Sequence, residues 1–241
     1  MDNRFKHCQY INTVVNEIYT EVKSNWPIPQ IYSAETVRYS QLCECVGNEI
    51  GESYTYFTLR RENELPMVMF SKSARKKKAT SLCNYSQCVS WPYAKGLLNG
   101  SFDDVLSFGF YSEEEIDILA ANGSVPDFGD GSDRKDFPGE DSIHIDREAL
   151  TAVITRVMLH WLEGSGAVSI GVPKNECGNY TDYVLRAVSE IYSYFPTGLR
   201  AEAGFCSYLS PAKLQSYPRI HMAFIPQSEA NANTVFLDGS S

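Results

Sequence analysis

Residues 146–172 read DREALTAVITRVMLHWLEGSGAVSIGV, and this stretch decides the fold class. Asp146 is a favourable N-cap residue, and apolar residues recur behind it at helical spacing. The predicted apolar face consists of Leu150, Val153, Ile154, Val157, Trp161 and Leu162. Gly164 and Gly166 favour the end of the helix, and the segment AVSIGV that follows is typical of a buried strand. A helix followed at once by an apolar strand indicates a sheet covered by helices.

The same alternation extends to both sides of this stretch. SIHI before it predicts a short strand, and a further helix is predicted from about Thr181. LRAEAGFCSYL and RIHMAFI both read as strands. The order strand, helix, strand, helix, strand, strand predicts a mixed sheet with helices packed on at least one face, within an α+β fold.

The first part of the chain carries different signals. Its N-terminal segment has apolar residues at spacings of three and four, which predicts an amphipathic helix: Phe5, Cys8, Ile11, Val14, Val15, Ile18 and Val22. SYTYFTLRR and LPMVMF predict a hairpin. Ser112 and Glu115 have the spacing of a capping box at a helix start.

An acidic segment, 127–141, separates the two parts. It reads DFGDGSDRKDFPGED and holds −4 of the formal net charge of −9. Its glycines and proline oppose regular structure, and no register fits an EF-hand, although calcium binding in another geometry stays open. We therefore predict an N-terminal lobe over 1–126, an acidic linker or loop, a C-terminal lobe over 142–226 and a loose tail over 227–241.

Composition limits the function classes. A hydrophobic content of 43% excludes disorder of the whole chain. The negative net charge disfavours nucleic acid as a partner, because phosphate contacts require a basic surface. Apolar runs are too short for a membrane span, and the N-terminus lacks a signal-peptide pattern, so a cytoplasmic protein is expected. Seven cysteines at these spacings suggest reduced thiols, with neither a metal nor another cofactor expected.

Two groups of residues are candidate contact surfaces. The first is a basic run composed of Lys72, Arg75, Lys76, Lys77 and Lys78. It would attract an acidic partner, although it would equally suit a solvated turn that protects a hairpin edge, or a docking site for the chain's own acidic segment. The second group is aromatic: Tyr85, Trp91 and Tyr93. Aromatic residues are enriched in interfaces, and filling the core is the alternative.

Cys206 and His221 are the candidate catalytic pair. They lie in two successive predicted strands, where a thiol and an imidazole can meet across the sheet. The alternative is that Cys206 is an inert core residue, as cysteines in apolar strands usually are.

The written catalytic signatures of serine hydrolases, P-loop proteins, dinucleotide-binding proteins and zincins do not occur in this sequence. We therefore predict a soluble interaction or regulatory protein, bacterial or phage-like in character, that binds another macromolecule, with a protein as the expected partner. A Cys-dependent hydrolase or transferase using Cys206 and His221 is the alternative. Whether the chain is an enzyme, and its oligomeric state, stay open at this point.

Overall fold

The structure, a computed structural model, describes residues 8–15, 18–24, 30–40, 42, 52–60, 62, 66–78, 81–92, 102–112, 114–115, 118, 144–164 and 166–239. The strands in these residues are β1 Cys8–Val15, β2 Ile18–Ser24, β3 Glu52–Leu59, β4 Met67–Lys78, β5 Ser81–Pro92, β6 Val168–Val172, β7 Gly204–Cys206, β8 Ile220–Pro226 and β9 Val235–Phe236. The α-helices are α1 Gln30–Ser40, α2 Asp103–Leu106, α3 Arg147–Glu163, α4 Tyr180–Ser193 and α5 Thr197–Glu202.

The described strands form one mixed sheet in the order β2-β1-β5-β4-β3-β7-β8-β6-β9. The first five strands of the chain pair antiparallel, whereas β7, β8, β6 and β9 are parallel neighbours. The two halves meet where β3 pairs antiparallel with β7, through Thr55 opposite Cys206 and Tyr56 opposite Phe205. The predicted α+β class, with a mixed sheet and helices, is confirmed.

Helices cover both faces of this sheet. Apolar residues of α2, α3 and α4 pack on one face, where Tyr56 and Phe205 are fully buried. Tyr32 and Tyr39 of α1 pack on the opposite face against residues such as Phe57. Successive residues of β3 alternate between the two cores, as the pleat of a strand requires. The proposed linker 127–141 lies outside the described residues, so the division into lobes stays a prediction.

The helix predicted near the N-terminus is wrong. Cys8–Val15 and Ile18–Ser24 are antiparallel strands, and β1 also pairs with β5 from Cys8 opposite Ser90 to Thr13 opposite Tyr85. The segment is rich in β-branched side chains, which favour strands. Spacings of three and four did not discriminate, because the same residues suit a strand once the neighbouring β2 and the distant β5 pair with it.

The C-terminal segment also differs from the prediction of a loose tail. Residues 227–239 contain a 3₁₀ turn, Gln227–Glu229, and the edge strand β9, which pairs in parallel with β6. Phe236 and Leu237 are buried. Their burial stabilises a segment whose other residues are mostly small and polar. Two further strand predictions change: residues 199–202 belong to α5, and His144 and Ile145 are not in a strand.

Local helix signals are confirmed. The Asp146 carboxylate accepts hydrogen bonds from the backbone N–H groups of Glu148 and Ala149, both at 2.9 Å, and Gly164 ends α3 with φ of 66°. The Ser112 N–H donates to Glu115 Oε2 at 2.8 Å, and the Glu115 N–H donates to Ser112 Oγ at 3.3 Å. These reciprocal bonds are the predicted capping box.

Candidate functional site

The basic run lies within a strand and not in a turn. Lys72 to Lys78 form the second half of β4, and their backbone pairs with β5 from Lys72 opposite Gln87 to Lys78 opposite Ser81. Lys72 is mostly buried, with Nζ 3.4 Å from Glu52 Oε1 and 5.6 Å from the centre of the Tyr54 ring. Its charge is therefore used within the protein. The side chains of residues 75–78 lie outside the described structure.

The aromatic candidates do not form a described surface. Trp91 is 1% exposed and packs edge-on against Phe108 with ring centres 5.9 Å apart. It fills the core, which was the alternative interpretation. The Tyr85 backbone lies in β5, whereas its side chain and the whole of Tyr93 lie outside the described structure.

Tyrosine abundance reflects the core more than a contact surface. Some buried tyrosines donate their hydroxyl groups to backbone oxygens: Tyr56 donates to the Arg200 carbonyl at 3.0 Å and Tyr180 to the Ser207 carbonyl at 2.9 Å. Such bonds allow a phenol to be buried without an unsatisfied donor. Most tyrosines of described burial lie in the core, namely Tyr32, Tyr39, Tyr54, Tyr56, Tyr111, Tyr180, Tyr183, Tyr192 and Tyr208.

Cys206 occupies a packed position in β7. It is fully buried, its thiol lies 3.1 Å from the Tyr208 carbonyl oxygen, and Thr55 Oγ1 donates to Sγ at 3.5 Å. A nucleophilic cysteine needs solvent or substrate access and a stabilised thiolate. These contacts are those of a small core residue.

His221 lies at a register shift at the start of β8. Its Nδ1 atom accepts a hydrogen bond from the Gly204 N–H at 3.1 Å. Burial lowers the pKa of His221, and the charge of His160 lowers it further, whereas a hydrogen bond to the Arg219 backbone acts in the opposite direction. The fold therefore favours a neutral imidazole here, and that imidazole links β8 to β7 through its hydrogen bond with Gly204.

The outer surface of α3 changes character along the helix. Its first two turns expose polar residues such as Thr151 and Thr155. Its last turns expose four large apolar side chains, here named the α3 apolar end: Met158 39%, Leu159 48%, Trp161 39% and Leu162 70% exposed. Trp161 and Leu162 were predicted to face the core. The core contacts of α3 are made by the other predicted residues, Leu150, Val153 and Val157, with the partly buried Ile154 packed against the same core.

Sequence reasoning missed Met158 and Leu159, although a signal was present. Consecutive helix positions differ by about 100° around the axis, so residues 157, 158, 159, 161 and 162 cannot all face one core. A helix whose apolar residues occupy more than half of its circumference over its last turns must therefore expose part of that surface. Deciding which part required the position of the sheet.

A cleft of about 510 Å³ lies beside the same helix. It is formed by α3, by the amino ends of the parallel strands β6 and β9, and by the 3₁₀ helix Pro211–Ser216 before β8. Polar side chains dominate its lining: Arg156, His160, Ser169, Gln215, Asn231 and Asn233. The volume falls in the range of small-molecule sites, roughly 300–1,000 Å³. No local sequence motif marks these residues, because they come from distant segments.

The opposite edge of the parallel strands is filled by internal bonds. The Tyr208 hydroxyl lies 2.9 and 3.1 Å from the two carboxylate oxygens of Glu229, and Tyr180 bonds to the Ser207 carbonyl. Ligands of open α/β sheets commonly bind at such carboxyl ends. Here the described cleft is at the amino ends instead.

Within the part of the chain that the structure describes, no group of three or more His, Cys, Asp and Glu side chains is placed to hold a metal ion. None of the described helices combines the length and the apolar character needed to cross a membrane. No protein-family model, curated protein or solved structure matches this chain.

Proposed function

We propose that this chain is an interaction protein that binds another protein through the α3 apolar end. The supporting observation is the exposure of Met158, Leu159, Trp161 and Leu162 by 39–70% on two adjacent turns. The largest contiguous apolar patch on the surface of a soluble monomer covers a few hundred Å² and is often a functional site. Tryptophan in particular is enriched among the residues that dominate binding energy. A cytoplasmic location stays a prediction from the sequence.

The proposed partner presents an apolar groove. The α3 apolar end is convex, and Met158, Trp161 and Leu162 have the i, i+3 and i+4 spacing with which a helix enters a groove. Four partly exposed side chains amount to a few hundred Å², whereas a stable dimer buries about 800 Å² on each partner. The small area favours a groove that encloses the helix end over a flat contact between two copies of this chain.

The test compares L159K and L162K with the matched control T151K. Lysine near the end of a helix is compatible with the helix dipole, and Thr151 lies on the polar half of the same outer surface. Partners recovered with the wild-type chain are purified and titrated by calorimetry. We expect each patch variant to weaken binding by about tenfold or more, and T151K to bind like wild type.

Two outcomes would contradict the proposal. The first is retention of wild-type affinity by both patch variants while their circular dichroism is unchanged. The second is self-association of the wild-type chain in sedimentation experiments that L162K abolishes, because the occupant would then be a second copy.

The basic end of β4 remains a proposed second contact for an acidic partner. The triple substitution K76E/K77E/K78E should weaken binding of the same partner and reduce its salt dependence, because exposed ion pairs are screened by salt. Unchanged affinity at low salt would remove this surface from the proposal.

A further inference from the structure

The cleft beside α3 differs in charge from the rest of the chain. The formal net charge is −9, yet the described residues that line the cleft include a guanidinium and an imidazole and no carboxylate. Hydroxyl and amide groups complete its polar lining. A concave site of this composition concentrates anions, because its low-dielectric walls strengthen the local field.

Arg156 is held in position at the wall of the cleft. Its Nη1 donates to the Asn233 carbonyl at 3.3 Å. This one contact leaves other N–H donors of the guanidinium group available for a ligand. Their planar arrangement matches the oxygens of carboxylates and phosphates. An arginine fixed by one backbone contact loses less conformational entropy when it binds a ligand.

The loop that carries Asn233 is itself ordered by internal hydrogen bonds. The Asn233 N–H donates to Asn231 Oδ1 at 2.9 Å, and the Asn231 N–H donates to Thr234 Oγ1 at 3.0 Å. Parallel pairing of β9 with β6 anchors the next residues. The wall opposite α3 is therefore preorganised.

His160 supplies a polar group that the described protein leaves unused. Its Nδ1 atom is inaccessible to solvent and has no hydrogen-bond partner among the described residues. Gly166 lies against the ring, since a Cβ atom there would be 3.5 Å from Nδ1. An unsatisfied buried polar atom costs about 1–3 kcal/mol, and a small shift of the ring towards the cleft would let a ligand satisfy it.

We infer that this cleft binds a small molecule carrying a phosphate or carboxylate group, with Arg156 as the principal anion-binding residue and His160 as a second polar contact. The room in the cleft suits a ligand larger than the oxyanion itself, with Ser169 and Gln215 available to its remaining polar groups. This inference is independent of the α3 apolar end, which lies on other side chains of the same helix.

The experiment titrates the full chain with four probes and measures binding by calorimetry and thermal shift. The anionic probes are a nucleoside monophosphate and a tricarboxylate, and their neutral controls are the parent nucleoside and glycerol. We expect saturable binding of at least one anionic probe and none of its control. Binding of the monophosphate alone identifies a phosphate ligand, binding of the tricarboxylate alone a carboxylate ligand, and either result supports the site.

Variants test whether binding occurs in this cleft. R156Q should weaken binding of the anionic probe by about tenfold or more, because a charge-assisted hydrogen bond contributes about 1.5–3 kcal/mol. H160Q should weaken it less. R147Q removes an exposed arginine of the same helix outside the cleft and should bind like wild type. Equal binding by R156Q and R147Q, or failure of both anionic probes to bind wild type, would overturn the inference.

Discussion

Arg219 binds one carboxylate oxygen of Glu35 with two nitrogen atoms, Nε at 3.2 Å and Nη2 at 3.0 Å. Its third donor, Nη1, bonds to the Thr58 carbonyl at 3.0 Å. This one side chain therefore connects α1, β3 and the residue before β8. Both charged side chains are about three-quarters buried, with exposures of 27% and 23%.

Removing this guanidinium should destabilise the protein. We expect R219A to lower the free energy of unfolding by about 1.5–3 kcal/mol, because it removes two hydrogen bonds from the Glu35 carboxylate and one from the Thr58 carbonyl. R219K keeps the positive charge but cannot reproduce the planar arrangement of donors, so it should lose less stability than R219A. Urea denaturation measures the unfolding free energies of both variants and of wild type. Wild-type stability in R219A would show that the three contacts contribute nothing.

Two glycines of the sheet should differ in their tolerance of alanine. A methyl group at Gly171 would overlap the ring of Phe236, whereas one at Gly204 would overlap the Arg219 carbonyl oxygen and lie 2.8 Å from the Tyr56 carbonyl. A ring can move and a paired backbone cannot. We expect G171A to cost about 1–3 kcal/mol and G204A to cost more.

A second substitution provides the control for this comparison. F236L should recover part of the stability lost in G171A and none of that lost in G204A, as measured by a double-mutant cycle. Equal recovery in both backgrounds would contradict the assigned contacts.

The stability of the protein should depend on pH through His221. Burial holds the pKa of His221 below its ordinary value of 6.5, so the unfolded chain takes up the proton first as the pH falls. This contribution is fully present above pH 6.5 and is lost as the pH decreases through the lower, folded-state value. The variant H221Q lacks the titration and keeps an acceptor for Gly204.

We therefore expect wild type to lose stability relative to H221Q as the pH falls below about 6.5, by linkage. Denaturation curves at several pH values measure the difference in unfolding free energy between the two proteins. The contributions of other titrating groups cancel in this difference. Parallel stability profiles would contradict the assigned shift.

Thiol labelling should distinguish a core cysteine from a reactive one. Cys206 is fully buried, so in the native protein its labelling should be slow and should accelerate in denaturant. Mass spectrometry identifies the labelled site. Rapid native labelling of Cys206 would instead support the Cys-His alternative. We expect C206A to cost about 1–2 kcal/mol in stability.

Local hydrogen bonds explain what could be predicted. The caps of α3 at Asp146 and Gly164, and the capping box of Ser112 and Glu115, depend on residues within a few positions of each other. Such signals are complete within the sequence. The strands β6 and β8 could also be predicted from the sequence, because a run of β-branched and aromatic residues favours a strand wherever it pairs.

The sequence by itself determined the α+β class, the caps of its main helix and the strands β6 and β8, since each depends on short-range chemistry. Tertiary structure alone decided that Cys8–Val15 is a strand, that Lys72 is buried beside Glu52, and that Leu162 faces outward. It also brought Arg156 and Asn233 to one cleft. Each of these outcomes depends on how the elements pair and pack in the folded chain, which no local pattern specifies.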